Sequence, residues 1–302
     1  MTKKTLQIDQ LLVTVDGSKE AEAVLPFVRE LAPKFGSHVH VLGVGIGQKS
    51  RRVNRLLDEY VNRTANELHT QDIKAEPIVL YGNAADKILD FTAENEIDLI
   101  IMATHGRSGI TRWWMGSVAE KVISEATAPV LLVRSKRSRV SDASDKRVTI
   151  HKILAPLDGS DIGEVALPYA EAIAVRSQAT LNLLQIVSPP GTAEANLLGG
   201  PDWRKFVKAM HDAGENYLKS VSERLTTRNV KVTYEVLTGE PADKIVEYAT
   251  ANGVSLIAMS THGRTGVARW VLGSVADKVL HGARIPILLA RSPRMVIAKP
   301  RD

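Results

Sequence analysis

Two doubly wound α/β units in tandem are predicted, and two observations carry the expectation. First, the chain repeats itself: Leu11–Pro26 (LLVTVDGSKEAEAVLP) matches Ile153–Pro168 (ILAPLDGSDIGEVALP), and Met102–Val122 matches Met259–Val279. Second, within each copy short apolar runs alternate with stretches whose apolar residues recur at helical spacing, the pattern of βαβ units on a parallel sheet. Between 98–134 and 255–291, 21 of 37 positions are identical, which excludes a chance match and defines a duplicated unit. The first matched pair is offset by 142 positions and the second by 157, so the second copy carries 15 extra residues. The stretch Ser188–Trp203, rich in Gly, Pro and small residues, is the expected place, as a loop.

The elements follow in order. LLVTV (Leu11–Val15) is a short apolar strand ending at Asp16-Gly17-Ser18, and Ala21, Val24, Leu25, Val28 and Leu31 then mark the first helix. HVHVLGV (His38–Val44) is strand-like, and a polar amphipathic helix follows through about 51–69. IKAEPIVL is the third strand and AADKILDFTAEN the third helix. DLIIMA is nearly continuous in apolar residues, as expected of a strand buried on both faces. Gly116-Ser117 opens a fourth helix and PVLLVR closes the unit; the second copy runs the same course from KILAPL to IPILLAR. Domains are expected over 1–138 and 150–292, with a linker over 139–149 and a tail over 293–302. Right-handed crossovers place a ligand crevice at the carboxyl ends of the strands.

Composition narrows the function classes. With 44% hydrophobic and 24% charged residues the chain is an ordinary globular one, neither disordered throughout nor collagen-like. It has no cysteine, which excludes thiolate catalysis, disulfides and Cys-ligated zinc or iron–sulfur sites. No apolar run approaches the ~18 residues that span a membrane, and MTKKTLQIDQ lacks an apolar core of a secretory signal, so a cytoplasmic protein without membrane contact is expected. The net charge of +5 is concentrated at Arg134–Arg147 and Arg291–Arg301. These runs read as solvated linker and tail; a nucleic-acid patch is the sharper alternative, and nucleic acid is not expected as a partner.

Two recurrent features lie at the expected ligand edge. Asp16, repeated as Asp158, ends the first strand, where a carboxylate can accept from a ribose or base; alternatively Asp-Gly-Ser is turn chemistry, or Ser18 and Ser160 cap the first helix. The loop after strand four reads T-H-G-R-[ST]-G-x6-G-S in both copies. Its glycines let backbone N–H groups approach an anion, and Gly-Ser opens a helix whose first N–H groups are unpaired. Alternatively Ser117 with Glu120, and Ser274 with Asp277, form a capping box. No Walker A sequence is present, so this is not a P-loop NTPase. His38 and His40 lie two apart on a strand and face the same side, but the sequence shows no ligand cluster, and no metal site is expected. His105 and His262 read as loop hydrogen-bonding residues, and the Arg112-Trp113 and Arg269-Trp270 pairs as packing. Gly43–Gly47 (GVGIG) fails the spacing of a dinucleotide fingerprint.

Taken together, V-D-G-S on strand one and T-H-G-R-[ST]-G-x6-G-S-V-A-[ED]-K-V before A-P-V-L-L-V-R closely resemble the universal stress protein family, twice over nearly the whole chain. The resemblance implies two Rossmann-like (HUP-type) parallel five-stranded sheets of order 3-2-1-4-5, paired through their last strands as a single-chain pseudo-dimer, and leaves a homodimer open. Nucleotide-binding members carry G-x2-G-x9-G-[ST]. Here the x9 spacing holds from Gly106 to Gly116-Ser117 and from Gly263 to Gly273-Ser274, but the first glycine is Ala103 in one copy and Ser260 in the other. By resemblance, Asp16 and Asp158 would lie near adenine and ribose, and Val44 and Ile186 would offer backbone contacts to adenine. Glycine-loop N–H groups, Ser117 and Ser274, and the backbone of Val118 and Val275 would hold the phosphates. The implied function is adenine-nucleotide binding, with ATP foremost and Mg2+ entering only through its phosphates, in a stress-response sensing module rather than an enzyme. A slow ATP hydrolase, or an interaction protein without nucleotide, are the rival readings.

Overall fold

The computed structural model describes residues 6–45, 47, 51–104, 115–134, 148–189, 202–262 and 272–291. Among these residues two compact units result, one formed by those up to 149 with 286–291, the other by those from 150 to 262 with 272–285.

In the first unit, β1 (Gln10–Val15), β2 (His38–Gly45), β3 (Ala75–Tyr81), β4 (Leu99–Ala103) and β5 (Val130–Val133) lie in the order β3-β2-β1-β4-β5, all parallel. This is the 3-2-1-4-5 order expected for the copy. Leu11–Val13 and Leu99–Met102 are buried, as central parallel strands covered on both faces require. The connecting helices are α1 (Leu25–Phe35), α2 (Arg51–His69), α3 (Ala84–Glu94) and α4 (Ser117–Glu125). α1 carries Pro26 in its first turn, where no amide donor is needed, and ends on Gly36 at φ 71°. α3 starts at Asn83, whose side chain accepts from the amides of Ala85 and Asp86.

In the second unit, β6 (Lys152–Pro156), β7 (Thr180–Val187), β8 (Lys231–Thr238) and β9 (Leu256–Ser260) repeat the arrangement as β9-β6-β7-β8. The helices are α5 (Leu167–Ser177), α6 (Asp202–Thr226), α7 (Pro241–Ala251) and α8 (Ser274–Gly282). α5 ends on Gln178 at φ 54°, the position of Gly36 in the first copy. The last two residues of the expected insertion, Asp202 and Trp203, begin α6 rather than a loop, and 190–201 lie outside the described residues. The second copy's last strand, β10 (Ile287–Ala290), belongs to the first unit, where it pairs antiparallel with β5 through Ile287↔Leu132, Leu288↔Leu131 and Leu289↔Val130. All four residues of β5 and all four of β10 are buried; an apolar edge of that kind needs a partner strand.

Helix-to-strand packing explains the glycine-rich end of β2. A Cβ at Gly43 would lie 2.6 Å from Val61 Cγ2 and 3.1 Å from Leu57 Cδ1, and one at Gly45 would lie 2.8 Å from the Tyr81 ring. These glycines admit α2 and Tyr81, not a dinucleotide. In the second copy the sizes are exchanged: Gln185 stands on β7 and Gly214 on α6, 3.0 Å separating a Cβ at Gly214 from Gln185 Oε1. No helix among the described residues is long and apolar enough to cross a membrane.

Candidate functional site

Strand order changes direction between β1 and β4, and at their carboxyl ends a cleft of about 210 Å3 opens in the first copy. Leu42, Val44, Ile88 and Met102 give it an apolar wall. Asp16, Val44, Ala103, Gly116, Ser117 and Val118, expected at the site from sequence, all line this one cleft; Gly106 lies outside the described residues. Thr14, Ala21 and Ala84 line it as well. Sequence reasoning missed these three; their only signal is that small residues stand at the carboxyl end of β1 and in the first turns of the following helices.

Asp16 is held by its own turn. Gly17 adopts φ 82°, and Asp16 Oδ1 accepts from the Ser18 amide (2.9 Å) and the Ser18 hydroxyl (2.6 Å). Ser18 Oγ in turn accepts from the Ala21 amide at 3.1 Å. Turn chemistry and a place on the cleft wall are therefore both true of Asp16. The repeat keeps the turn: Asp158 Oδ1 accepts from Ser160 N (3.0 Å) and Oγ (2.6 Å), and Ser160 Oγ from Gly163 N at 3.0 Å. One difference is steric. A Cβ at Gly163 would stand 2.3 Å from Asp158 Oδ1, whereas the equivalent residue of the first copy, Ala21, has that methyl and turns it to the cleft. The turn bonds of the two carboxylates are alike, and the copies differ here by the methyl of Ala21, which Gly163 lacks.

Helix α4 corrects two expectations. Its N-cap is Gly116, extended at φ −64° and ψ 144°, with no side-chain cap bond; Ser117 is the first helical residue, exposed, so the capping box with Glu120 does not form. Gly273 caps α8 in the same way, ahead of Ser274. Moreover, the Gly116 amide donates to Thr104 O at 2.9 Å and the Gly273 amide to Thr261 O at 2.8 Å, so neither glycine N–H is left for a phosphate. The first intrahelical donors are Glu120 to Gly116 O and Asp277 to Gly273 O. That leaves the amides of Ser117, Val118 and Ala119, and of Ser274, Val275 and Ala276, with no acceptor among the described residues, at the positive end of a helix. A Cβ at Gly116 would meet nothing closer than Thr104 O at 3.4 Å, so packing alone does not demand glycine there.

The replaced glycines differ in consequence. Ala103 presents its methyl to the cleft. Ser260, buried, donates its hydroxyl to His262 O (2.6 Å) and accepts from the His262 amide (3.2 Å), so it engages the backbone of its own loop. His262 Nδ1 also meets Thr261 Oγ1 at 3.0 Å, in keeping with a loop hydrogen-bonding role. Ile186 stands near the carboxyl end of β7 as Val44 does on β2, and Val275 follows Ser274 at the start of α8. Gly263, His105 and the Arg-Trp pairs lie outside the described residues.

A doubly wound parallel sheet with an apolar cleft at its switch point and a helix N-terminus on the rim makes this a Rossmann-like α/β protein. The sequence profile of the universal stress protein family matches residues 7–134 and again 149–291, and the chain belongs to that family. It is 34% identical over 143 residues to a universal stress protein of Methanocaldococcus jannaschii, covering 47% of this chain and 83% of that protein. A Mycobacterium tuberculosis universal stress protein is 28% identical over 197 residues, 65% of this chain, and the match spans 63% of that protein's length. Among solved structures, a universal stress protein of Archaeoglobus fulgidus shares the fold with a TM-score of 0.66 at 20% identity, over 94% of this chain and 97% of that one.

Proposed function

We propose that the cleft of the first copy binds an adenine nucleotide, ATP foremost, and that the protein acts as a nucleotide-responsive module of the stress response. The observation that carries the reading is convergence: residues as far apart in sequence as Asp16, Val44, Ala103 and Gly116–Val118 meet on one cleft beside unpaired helix amides. The donor set suits the ligand. The apolar wall fits a planar base, Asp16 stands where a ribose or exocyclic amine would be met, and the amides of Ser117, Val118 and Ala119 suit a polyphosphate. Mg2+ would enter with the phosphates. The reading is a binder and not a hydrolase, because both copies lack a recurrent carboxylate in the glycine loop to orient a water. A cytoplasmic location and domains over 1–138 and 150–292 belong to the same reading.

The second copy favours the rival reading for its own site. Ser260 engages the loop backbone and Asp158 fills the space above Gly163. One nucleotide per chain is therefore expected, bound by the first copy. Mass spectrometry of what the denatured native protein releases, with titration calorimetry of the stripped chain against ATP, tests this. A stoichiometry near one, abolished by changes at Asp16 and Ser117, supports it. No nucleotide released and none bound at millimolar ATP would leave an interaction protein of the same fold.

A further inference from the structure

At the opposite, amino-terminal edge of the first copy's sheet, three side chains that the nucleotide reading does not use come together. His38 and His40 alternate on β2 and so face one side, and β3 places Glu76 in register with His40. His40 Nδ1 lies 2.6 Å from Glu76 Oε1, His38 Nε2 lies 3.5 Å from the same oxygen, and one ligand atom from each residue falls within 4.8 Å of the others. We propose that His38, His40 and Glu76 form a binding site for a divalent transition-metal ion of the Zn2+ type.

Four observations support the proposal. Two imidazoles and a carboxylate are a donor set that Zn2+ takes with a water in the fourth position. A tetrahedral ion with bonds of about 2.0–2.1 Å holds its ligand atoms roughly 3.3 Å apart. The His38–Glu76 separation already meets that, and the shorter His40–Glu76 contact opens by a small swing of Glu76, whose side chain is 47% exposed. His40 is oriented from behind: its Nε2 lies 2.8 Å from Gln10 Oε1 and its ring stacks edge-on to Phe91 at 5.4 Å. A second partner of that kind fixes the tautomer that leaves Nδ1 to the ion. His38 is 39% exposed, which leaves the ion a way in. The second copy carries none of this. Register places Lys152, Thr180, Asn182 and Thr233 at the positions of Gln10, His38, His40 and Glu76, and a lysine there would repel a cation.

Calorimetric titration of the tag-free full chain with ZnCl2, read together with metal content after dialysis, tests the site. One Zn2+ per chain is expected at a site that His38→Ala weakens at least tenfold and Glu76→Gln also weakens. Gln10→Leu, which removes only the orienting partner, should weaken it by about tenfold, within the range such partners carry. Zn2+ should raise the melting temperature of the parent and not that of His38→Ala; His38 and Glu76 are half-buried, and melts of the metal-free variants check that each keeps its fold. Zn2+ affinity and stoichiometry unchanged in the His38→Ala, Glu76→Gln double variant, or no binding at millimolar ZnCl2, would overturn the proposal and leave an ordinary His40–Glu76 hydrogen bond.

Discussion

Ser117→Asp separates the anion-binding reading of helix α4 from a purely structural one. Ser117 is exposed, is the first helical residue, and makes no cap bond, so replacing it removes no internal interaction. Ser117→Ala should accordingly cost less than about 0.5 kcal/mol, against roughly 1 kcal/mol for a true N-cap serine. An aspartate there gains ~0.3–1 kcal/mol from the helix dipole and gives back about 0.2–0.5 kcal/mol to Glu120 three residues on. Stability should stay level or rise slightly. Nucleotide binding should not. A carboxylate about 4 Å from a phosphate charge, at an effective dielectric of ~20, is repelled by ~4 kcal/mol. Exposure and salt reduce that; if a quarter survives, roughly 1 kcal/mol, ATP affinity falls about fivefold. Ser117→Asn is the control, equal in size and neutral. Thermal melts and ATP titrations on the three proteins decide the matter. Equal affinity in the Asp and Asn variants would refute phosphate binding at α4 and leave Gly116-Ser117 as a helix start only.

The next expectation uses the internal repeat as its own control. Tyr217 donates to Glu164 Oε1 at 2.8 Å, whereas the equivalent Tyr60 hydroxyl is buried without a hydrogen-bond partner among the described residues; in denaturant titrations Tyr217→Phe should cost ~1 kcal/mol and Tyr60→Phe close to nothing. Burial first, then the charges of Glu22 and Asp16, push the Tyr60 phenol up to about 12, so the unfolded chain ionises first, stability falls as pH rises from 10 to about 12, and Tyr60→Phe should flatten its share of that slope in melts across the window. Gly43→Ala drives a methyl against Val61 Cγ2 and should cost about 1–3 kcal/mol; combined with Val61→Ala, the two losses should fall short of their sum by more than ~0.5 kcal/mol, and additive losses would show that the strand yields instead.

Local pattern carried most of the fold. β1 and β4 announce themselves as apolar runs because both faces are covered, and α1 and α3 by apolar residues at helical spacing, while their ends at Gly36 and Asn83 emerged only in the structure. Of the residues that line the cleft, Asp16 and Gly116-Ser117 stand at element ends and recur in the sequence, whereas Val44 and Val118 were expected there only through the family resemblance. What stayed hidden depends on where the chain travels between elements. The Gly116 amide is spent on Thr104 O, twelve positions earlier in the chain, and spacing cannot report that contact. His38 and His40 were visible as a same-face pair, but Glu76 lies on β3, 36 residues from His40, and only strand register brings it opposite. The antiparallel pairing of β5 with β10 appeared only as a family expectation, since apolar periodicity says that an edge will be covered and not by what.

Differences between the copies are of two physical kinds. In the scaffold they compensate: glycine on β2 with Leu57 and Val61 on α2 becomes Gln185 on β7 with Gly214 on α6, so the same helix-on-strand contact is kept with the sizes reversed. At the site they do not. Ala103 leaves a methyl on an open cleft, whereas Ser260 turns its hydroxyl onto the loop that it replaces glycine to serve. Ala21 lines the cleft, whereas a Cβ at Gly163 would stand 2.3 Å from Asp158 Oδ1. Compensated exchanges keep packing density, which both sheets need to stay folded. Uncompensated ones sit at the strand ends where the proposed ligand would be met, and they agree with the proposal of one nucleotide per chain, bound by the first copy. Ser260→Gly tests that step, because it removes the hydroxyl that engages the His262 backbone: a gain toward two ATP per chain in the calorimeter is the expected result, and a stoichiometry fixed at one would place the block at Asp158 and Gly163 instead.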